Sequence, residues 1–357
     1  MVHAILMAGG SGTRFWPLSR SKKAKQFLSI IGETTLLEDA LTRVKTVVPA
    51  QNTWMVANIN QKPFLEAYVG PYPTDQILYE PQSRNTMACI GWAALEVLKK
   101  DPDAIMVVLP ADAYIDSTSA FQQVVEAAIQ LVTKQDVLVT IGIKPTFPHT
   151  GYGYIEISGA HLKQKLPAFP IKLFREKPNY ETAEQYVNTK RFFWNSGMFV
   201  WKAKHILSLL EHFHPRDFEC LGKVAALSFQ EQANQSAKFK RLYAQITSLS
   251  IDFAVMEKAV SQTMMIPATF RWSDIGNWSA LGDFWPQDRF GNAYRGPKQL
   301  LALDSHDNVV FSDKPLVSLV DVDHLIVVDT PDALMILPKS SDQRIRDLYQ
   351  KLPPHFQ

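Results

Sequence analysis

Val2-His3-Ala4-Ile5-Leu6-Met7, closed by Ala8-Gly9-Gly10-Ser11-Gly12-Thr13-Arg14, is the stretch on which the fold turns. A short, nearly continuous apolar run reads as a strand buried on both faces, the habit of parallel sheets. Glycines at its end let the backbone approach a polyphosphate, and successive N–H groups there form an anion-binding concavity. Similar runs follow at Thr53–Ala57, Ile105–Leu109 and Val137–Ile141, with helix-like stretches at Thr35–Val48, Thr86–Lys99 and Ala120–Thr133 between them. Strand and helix alternating in this way predict βαβ units and an α/β fold with a doubly wound, mostly parallel, Rossmann-like sheet.

Residues 150–275 are less regular. They hold short motif-like segments between helices, one of them around His205–Phe213, and are expected to be an insertion covering the carboxyl edge of the sheet. After Pro286, short β-type runs at Val309–Phe311, Leu316–Leu319 and Leu325–Val328 alternate with Asp, Gly, Asn and Pro. They predict a small all-β appendage, so that the domains are expected at 1–285 and 286–357. Ser341 is placed to cap a final helix with Ile345, Leu348 and Leu352 on one face.

Composition narrows the function classes. Of the 357 residues, 46% are hydrophobic and 20% charged, which suits a globular protein with a sizeable core. The net charge is only +2, so there is no bulk electrostatic case for nucleic acid or an anionic membrane, and anion binding must come from a local site. Cys89 and Cys220 stand far apart, which argues against a disulfide framework or a thiolate metal site and leaves two buried reduced thiols as the expectation. Met1–Ala8 lacks the basic start of a signal peptide, and no apolar run is long enough to span a bilayer. A cytoplasmic enzyme is the expectation.

Two familiar readings of the glycine loop fail. A dinucleotide-binding fold wants a third glycine where Arg14 stands, and the Gly-Lys-Ser/Thr of a P-loop is absent. In their place come Arg14, Pro17-Leu18-Ser19-Arg20 and Lys25-Gln26-Phe27. Two fixed cations beside a backbone nest suit a triphosphate whose α-phosphorus is to be attacked. Asp112 follows the strongest strand, where open α/β sheets place ligand-binding groups, although such an Asp is by itself more often a turn former or helix cap. Asp274 stands between Trp272 and Trp278, odd company for a merely solvated acid.

The run AGGSGTRFWPLSR followed by KQFL closely resembles the signature of the sugar nucleotidyltransferases, and within them that of the mannose-1-phosphate guanylyltransferases. The resemblance continues through Glu80–Thr86, Leu109–Asp112, Gly151–Ile155, Phe174–Pro178, Trp194–Phe199, Ser250–Lys258 and Trp272–Trp278, in matching order over about three quarters of the chain. It implies transfer of GMP from GTP to mannose 1-phosphate, with Gly9, Gly10, Ser11, Gly12 and Thr13 around the phosphates and Arg14, Lys25 and Asp112 catalytic. It implies Mg²⁺ on Asp112 and Asp274, in keeping with that ion's use of one or two carboxylates plus substrate phosphates. It places Arg84, Asn85 and Thr86 beside the nucleobase, and Gly151, Glu176, Lys177, Asn195 and Asp252 on the sugar phosphate.

Departures from the family pattern are Ala24 for a proline, His149 for a glutamate, and Met87-Ala88-Cys89 for an Ala-Pro-Ala run. His149 reads as a loop residue rather than a catalytic base. Open alternatives are glucose 1-phosphate with dTTP or UTP, a manno-heptose phosphate with GTP, and a silent nucleotide-sugar-sensing subunit. The β-rich end resembles the left-handed β-helix-like appendage of relatives, which often joins subunits, so a homodimer is expected. The chain stops at Gln357, so an isomerase domain of the kind carried by bifunctional relatives is not expected.

Overall fold

The computed structural model describes residues 1–10, 12–68, 70–159, 161–162 and 165–357, so Ser11 of the glycine loop lies outside the described residues. By its contacts the chain divides into two compact units. The first comprises Met1–Gly9, Ala40–Ala111 and Ile115–Trp272; the second comprises Gly10–Asp39, Asp112–Tyr114 and Ser273–Gln357.

The first unit is a nine-stranded sheet with flanking helices. Its strands are β1 (Val2–Met7), β2 (Thr53–Asn58), β3 (Ile77–Glu80), β4 (Ile105–Pro110), β5 (Leu138–Ile143), β6 (Tyr154–Ile157), β7 (Phe169–Arg175), β8 (Phe192–Lys202) and β9 (Thr263–Pro267). Their spatial order is β3-β2-β1-β4-β8-β5-β9-β7-β6, with a further pairing of β8 and β6. The run β3-β2-β1-β4 is parallel, as is the pair β5 and β9, which fits the expected α/β reading. Strand β1 is central, with Ile5 and Leu6 buried, because a strand flanked on both sides and covered on both faces has no place for polar alternation. The helix Asn85–Lys100 turns Met87, Ala88, Ile90, Trp92, Ala93, Ala94 and Val97 into the core cluster that holds Ile5, Trp54 and Val108.

The middle of the chain is not an insertion over the sheet edge. Residues 150–275 supply β6, β7, β8 and β9, and β8 lies between β4 and β5, antiparallel to both. Antiparallel strands do not require a crossover helix, and β6 and β7 follow one another without one, so the regular βαβ rhythm of the first half is lost here even though helices stand on both sides of β8. In β8 the register with β5 slips between Thr140 and Gly142, where Ser196-Gly197-Met198 bulges out between the paired residues Asn195 and Phe199, and Gly197 takes φ 71°. A bulge re-aims the side chains beside it, here that of Asn195.

In the second unit, β10 (Ala293–Arg295), β11 (Gln299–Leu303), β12 (Val309–Ser312), β13 (Leu316–Val320), β14 (Leu325–Asp329) and β15 (Leu334–Pro338) form stacked coils. Strands β10, β12 and β14 pair in parallel, Ala293 opposite Val309 opposite Ile326, and β15 closes them antiparallel; β11 and β13 form a second parallel pair. Asn308 links the coils: its Nδ2 donates to Asn292 Oδ1 at 2.8 Å and its Oδ1 accepts from Leu325 N–H at 2.8 Å. The glycine-signature segment is held within this unit. Trp278 Nε1 donates to Trp16 O at 3.1 Å, Trp285 Nε1 to Ile30 O at 2.6 Å, and Arg295 to Ile31 O and Gly32 O at 2.7 Å each.

The final helix spans Ile345–Lys351, later than expected. A 3₁₀ segment, Lys339–Arg344, precedes it and takes Ser341 into its interior, so Arg344 and not Ser341 stands at the N-cap. Ile345 is buried, while Leu348 of the expected apolar face is exposed. Cys89 is buried and Cys220 half-buried, and both are free thiols. Among the described residues, no helix is long and apolar enough to cross a membrane.

Candidate active site

Strand β1 ends at Met7 and hands the chain to Gly9 and then to Gly10, Gly12 and Thr13. Gly9 abuts Glu80, an acid that stands in a motif of the sequence yet has no role assigned from it: a Cβ on Gly9 would meet Glu80 Oε2 at 2.8 Å. Glu80 ends β3 and is 4% exposed, with Tyr243 O–H donating to its Oε1 at 2.5 Å. Burial raises its carboxyl to about 7, and the tyrosine bond only partly opposes that. The available signal is positional, an acid closing the apolar run Ile77-Leu78-Tyr79.

In the second unit Gly12 has φ 62°, and a Cβ on it would meet Lys25 N and Cβ at 2.6 Å, so only glycine fits against the lysine backbone. Ser19, fully buried, donates to Gly12 O at 2.7 Å and pins the same turn. Lys25 begins a 3₁₀ turn and its side chain is 7% exposed. Its ammonium donates to Asp112 Oδ2 at 2.9 Å and to the Asp274 carbonyl at 2.5 Å. One cation therefore gathers the two expected metal acids, which stand 162 positions apart in the chain (274 − 112). Arg14 donates to Gly276 O at 3.2 Å, and Gly276 leaves room for the Asp274 carboxylate, whose Oδ2 would lie 2.9 Å from a Cβ there. Arg14 and Lys25 thus both reach the backbone of Asp274–Gly276, and Lys25 also pairs with the Asp112 carboxylate.

Among the described residues no group of three or more His, Cys, Asp or Glu could by itself hold a metal ion. A two-carboxylate oxygen set is nonetheless the donor type that Mg²⁺ uses when substrate phosphates and water complete its shell. The Asp112 carboxylate is 37% exposed, within reach of such a partner.

The first unit carries the other predicted groups. Arg84 donates to Ala244 O at 2.6 Å, and Asn85 opens the helix Asn85–Lys100 at φ 63°. Thr86 Oγ1 accepts from Ile251 N–H at 2.8 Å, tying this segment to the neighbour of Asp252. Asn195, beside the β8 bulge, is bonded at both ends of its amide: Oδ1 accepts from Thr140 Oγ1 at 3.1 Å and from Gly197 N–H at 3.2 Å, and Nδ2 donates to Asp252 Oδ1 at 2.9 Å. Asp252 opens a π-type turn, Asp252–Met256. Its carboxyl is pushed up to about 7, first by burial and then by the Glu176 charge, against Ser250, its own backbone and Lys177. Lys177 Nζ donates to Glu176 Oε1 at 2.6 Å, and Glu176 N–H donates to Glu257 Oε1 at 2.9 Å. Gly153, unassigned from sequence, is the floor of this group: a Cβ on it would strike Glu176 Oε2 at 2.5 Å and Asn195 Cβ at 3.2 Å. Gly151 N–H is bonded to His149 Nδ1 at 3.0 Å.

The arrangement is thus a cation-and-carboxylate cluster on glycine backbone and, separately, a set of hydrogen-bonding carboxylates and an amide. A profile of the family described as Nucleotidyl transferase matches residues 3–289, and one described as MannoseP isomerase/GMP-like beta-helix domain matches residues 298–352. The chain is 36% identical to the xanthan biosynthesis protein XanB of Xanthomonas campestris pv. campestris, over 98% of its own length and 72% of that protein's. It is 34% identical to a mannose-1-phosphate guanylyltransferase of Salmonella muenchen, over 98% and 72%. A crystal structure from Thermus thermophilus, described as a mannose-1-phosphate geranyltransferase, superposes with a TM-score of 0.86 at 30% identity, covering 98% of each chain. Enzymes of this family act on sugar phosphates and nucleoside triphosphates and generally use a divalent metal ion. The chain belongs to the nucleotidyl transferase family, beside the mannose-1-phosphate guanylyltransferases that it matches over almost its whole length.

Proposed function

We propose that the protein transfers GMP from GTP to α-D-mannose 1-phosphate, releasing pyrophosphate and giving GDP-mannose. A phosphate oxygen of the sugar phosphate bonds to the α-phosphorus as the bond from that phosphorus to the bridging oxygen of the leaving pyrophosphate breaks. A phosphate monoester is already a competent nucleophile, so no protein nucleophile is required. The chain's work is then positioning and charge neutralisation. The observation that carries this reading is the Lys25 ammonium, buried and fixed between Asp112 and Asp274 beside the Gly12 turn.

In this reading Arg14 and Lys25 take the triphosphate with Gly9, Gly10, Gly12 and Thr13, while Asp112 and Asp274 hold Mg²⁺. When bound, that ion would offset phosphate charge and polarise the α-phosphoryl group. Asn195, Asp252 and Glu176 accept from or donate to sugar hydroxyls, and Lys177 takes the sugar phosphate. Arg84, Asn85 and Thr86 line the base. Glu80 joins them: guanine offers two adjacent donors, N1–H and N2–H, whereas adenine offers an acceptor at N1, so the Glu80 carboxyl, once ionised against the donor edge of the base, selects guanine. Residues 1–285 carry the chemistry and 286–357 form the appendage that braces the signature segment. A homodimer in the cytoplasm completes the assignment, and light scattering tests the dimer.

A pyrophosphate-release panel of four nucleoside triphosphates against mannose, glucose and manno-heptose 1-phosphates tests the whole. The expected result is turnover with GTP and mannose 1-phosphate at least about tenfold above every other pair, the discrimination that one well-placed polar pair supplies. Preference for another pair sinks the assignment of substrates, and binding without turnover in Mg²⁺ sinks the assignment as a catalyst.

A further inference from the structure

We infer that His149 is a positioning residue for the sugar-binding groups, acting through the backbone of the turn Gly151-Tyr152-Gly153; this rests on the assignment of Asn195, Glu176 and Lys177 to the sugar phosphate. Three of those groups lean on two residues of this turn. Lys177 N–H donates to Tyr152 O at 3.2 Å, and Asn195 N–H donates to Gly153 O at 2.8 Å. Gly153 lies so close to the Glu176 carboxylate that a Cβ would meet Oε2 at 2.5 Å. Any shift of this backbone therefore moves the main chain of Lys177 and Asn195 and the surface on which Glu176 rests.

His149 grips the turn at two points. Its Nδ1 accepts from Gly151 N–H at 3.0 Å, which in the neutral imidazole puts the proton on Nε2. Its ring stacks on Tyr152, with centroids 3.8 Å apart and planes 19° apart. The histidine is itself anchored, because its backbone N–H donates at 2.9 Å to the hydroxyl of Tyr154, a fully buried residue of β6. Tyr152 in turn sets its edge against Trp194 and Trp272, at 5.1 and 5.5 Å between centroids. Gly151 is required beneath the imidazole, since a Cβ there would meet Cε1 at 2.7 Å. A residue expected to be ordinary loop is thus the clamp on the turn that supports the sugar side.

Two replacements separate the two grips. His149→Phe keeps a ring for Tyr152 and loses the acceptor. His149→Asn loses the ring but keeps an acceptor for the N–H two residues on, as in an Asx turn. Steady-state kinetics with mannose 1-phosphate and GTP, each varied at saturation of the other, reads the effect. His149→Phe is expected to raise KM for the sugar phosphate about fivefold, the worth of one hydrogen bond, with KM for GTP and kcat within about twofold of wild type. His149→Asn is expected to bring the sugar KM back within about twofold. If His149→Phe does not fold, by its melting profile, His149→Ala takes its place. An unchanged sugar KM in the Phe variant, an equal loss in the Asn variant, or a GTP KM that rises in step overturns the inference. A wild type that prefers another sugar 1-phosphate sinks the mannose assignment alone, and the same comparison run on that sugar phosphate decides the role of His149.

Discussion

The two groups of site residues hold charge in opposite ways. In the second unit, Lys25 is enclosed, fixed by two oxygens, and balanced by Asp112 across 2.9 Å. In the first unit, the acids Asp252 and Glu176 stand near each other with the cation Lys177, whose side chain is 57% exposed. The first arrangement presents full charge on a rigid backbone, which is what a triphosphate and its departing pyrophosphate require. The second presents acceptors, and burial shifts Asp252 toward the neutral form, which suits hydroxyl groups that carry no charge. Charge does the work in one group and hydrogen-bond geometry in the other.

Lys25→Met should break that contrast most visibly. It removes the ammonium while keeping the length of the stem, and it leaves Asp112 and the Asp274 carbonyl without their shared donor. We expect kcat to fall about 10³-fold, the scale on which a charge-stabilising donor acts in a transition state, with KM for the sugar phosphate nearly unchanged. Arginine should not restore it, because a planar fork cannot occupy a site built for a point charge. Asp252→Asn should do the reverse, raising sugar KM about tenfold with a smaller effect on kcat. Should Lys25→Met act mainly on sugar KM, the division of labour between the groups is wrong.

How much of this is legible in the sequence follows the range of the interactions. The parallel strands and the glycine loop are legible because apolar runs and glycines are local signals, and Arg14 and Lys25 stand out by type and spacing. The strands of residues 150–275 are not, because β6 and β7 follow one another without a helix and several helices stand between β8 and β9, so no regular strand–helix rhythm marks them. Nor is the attachment of Trp16 and Ile30 to Trp278 and Trp285, which are side-chain-to-backbone bonds between residues about 260 positions apart. The asparagines at 292 and 308 each stand just before a strand of the stacked coils, but only Asn308 precedes an apolar run, Val309-Val310-Phe311. Gly153 and Glu80 stand inside motifs of the sequence, but what each does shows only in the neighbour that presses on it.

Glu80 sharpens the contrast from the side of pH. Its folded carboxyl sits near 7 against an ordinary 4.5, so between those values the folded protein keeps a proton that the unfolded chain has given up. Stability from this group is full below about pH 4.5 and is lost as pH rises through about 7. Glu80→Gln keeps an acceptor for Tyr243 and carries no charge. The variant should gain on wild type between pH 5 and 8 by about 3 kcal/mol at most, measured by urea denaturation at each pH. The same variant should lose most of its preference for GTP over ATP, because an amide can meet either base. A stability difference that is flat with pH would show that the carboxylate is not buried as charge, and retained GTP preference would remove Glu80 from the base site.

The smallest expected effect separates the packing of the signature segment from its chemistry. Arg20 donates through Nη2 to both oxygens of Asp332 at 3.0 Å, and its guanidinium lies 5.7 Å from the centroid of the Trp16 ring. Trp16 is held independently, by Phe356 O on its indole and by Trp278 on its carbonyl. Asp332 is 56% exposed, and solvent screens such a pair, so Asp332→Ala should cost only about 0.5–1 kcal/mol and a few degrees of melting temperature. With two tryptophan bonds intact, the Gly12 turn and Lys25 should stay in place and kcat should remain within about twofold of wild type. A large loss of kcat with little loss of stability would mean that the carboxylate on the coil, and not the tryptophans, holds the phosphate-binding turn in register, and the signature segment would then be tuned by a side chain with no part in the chemistry.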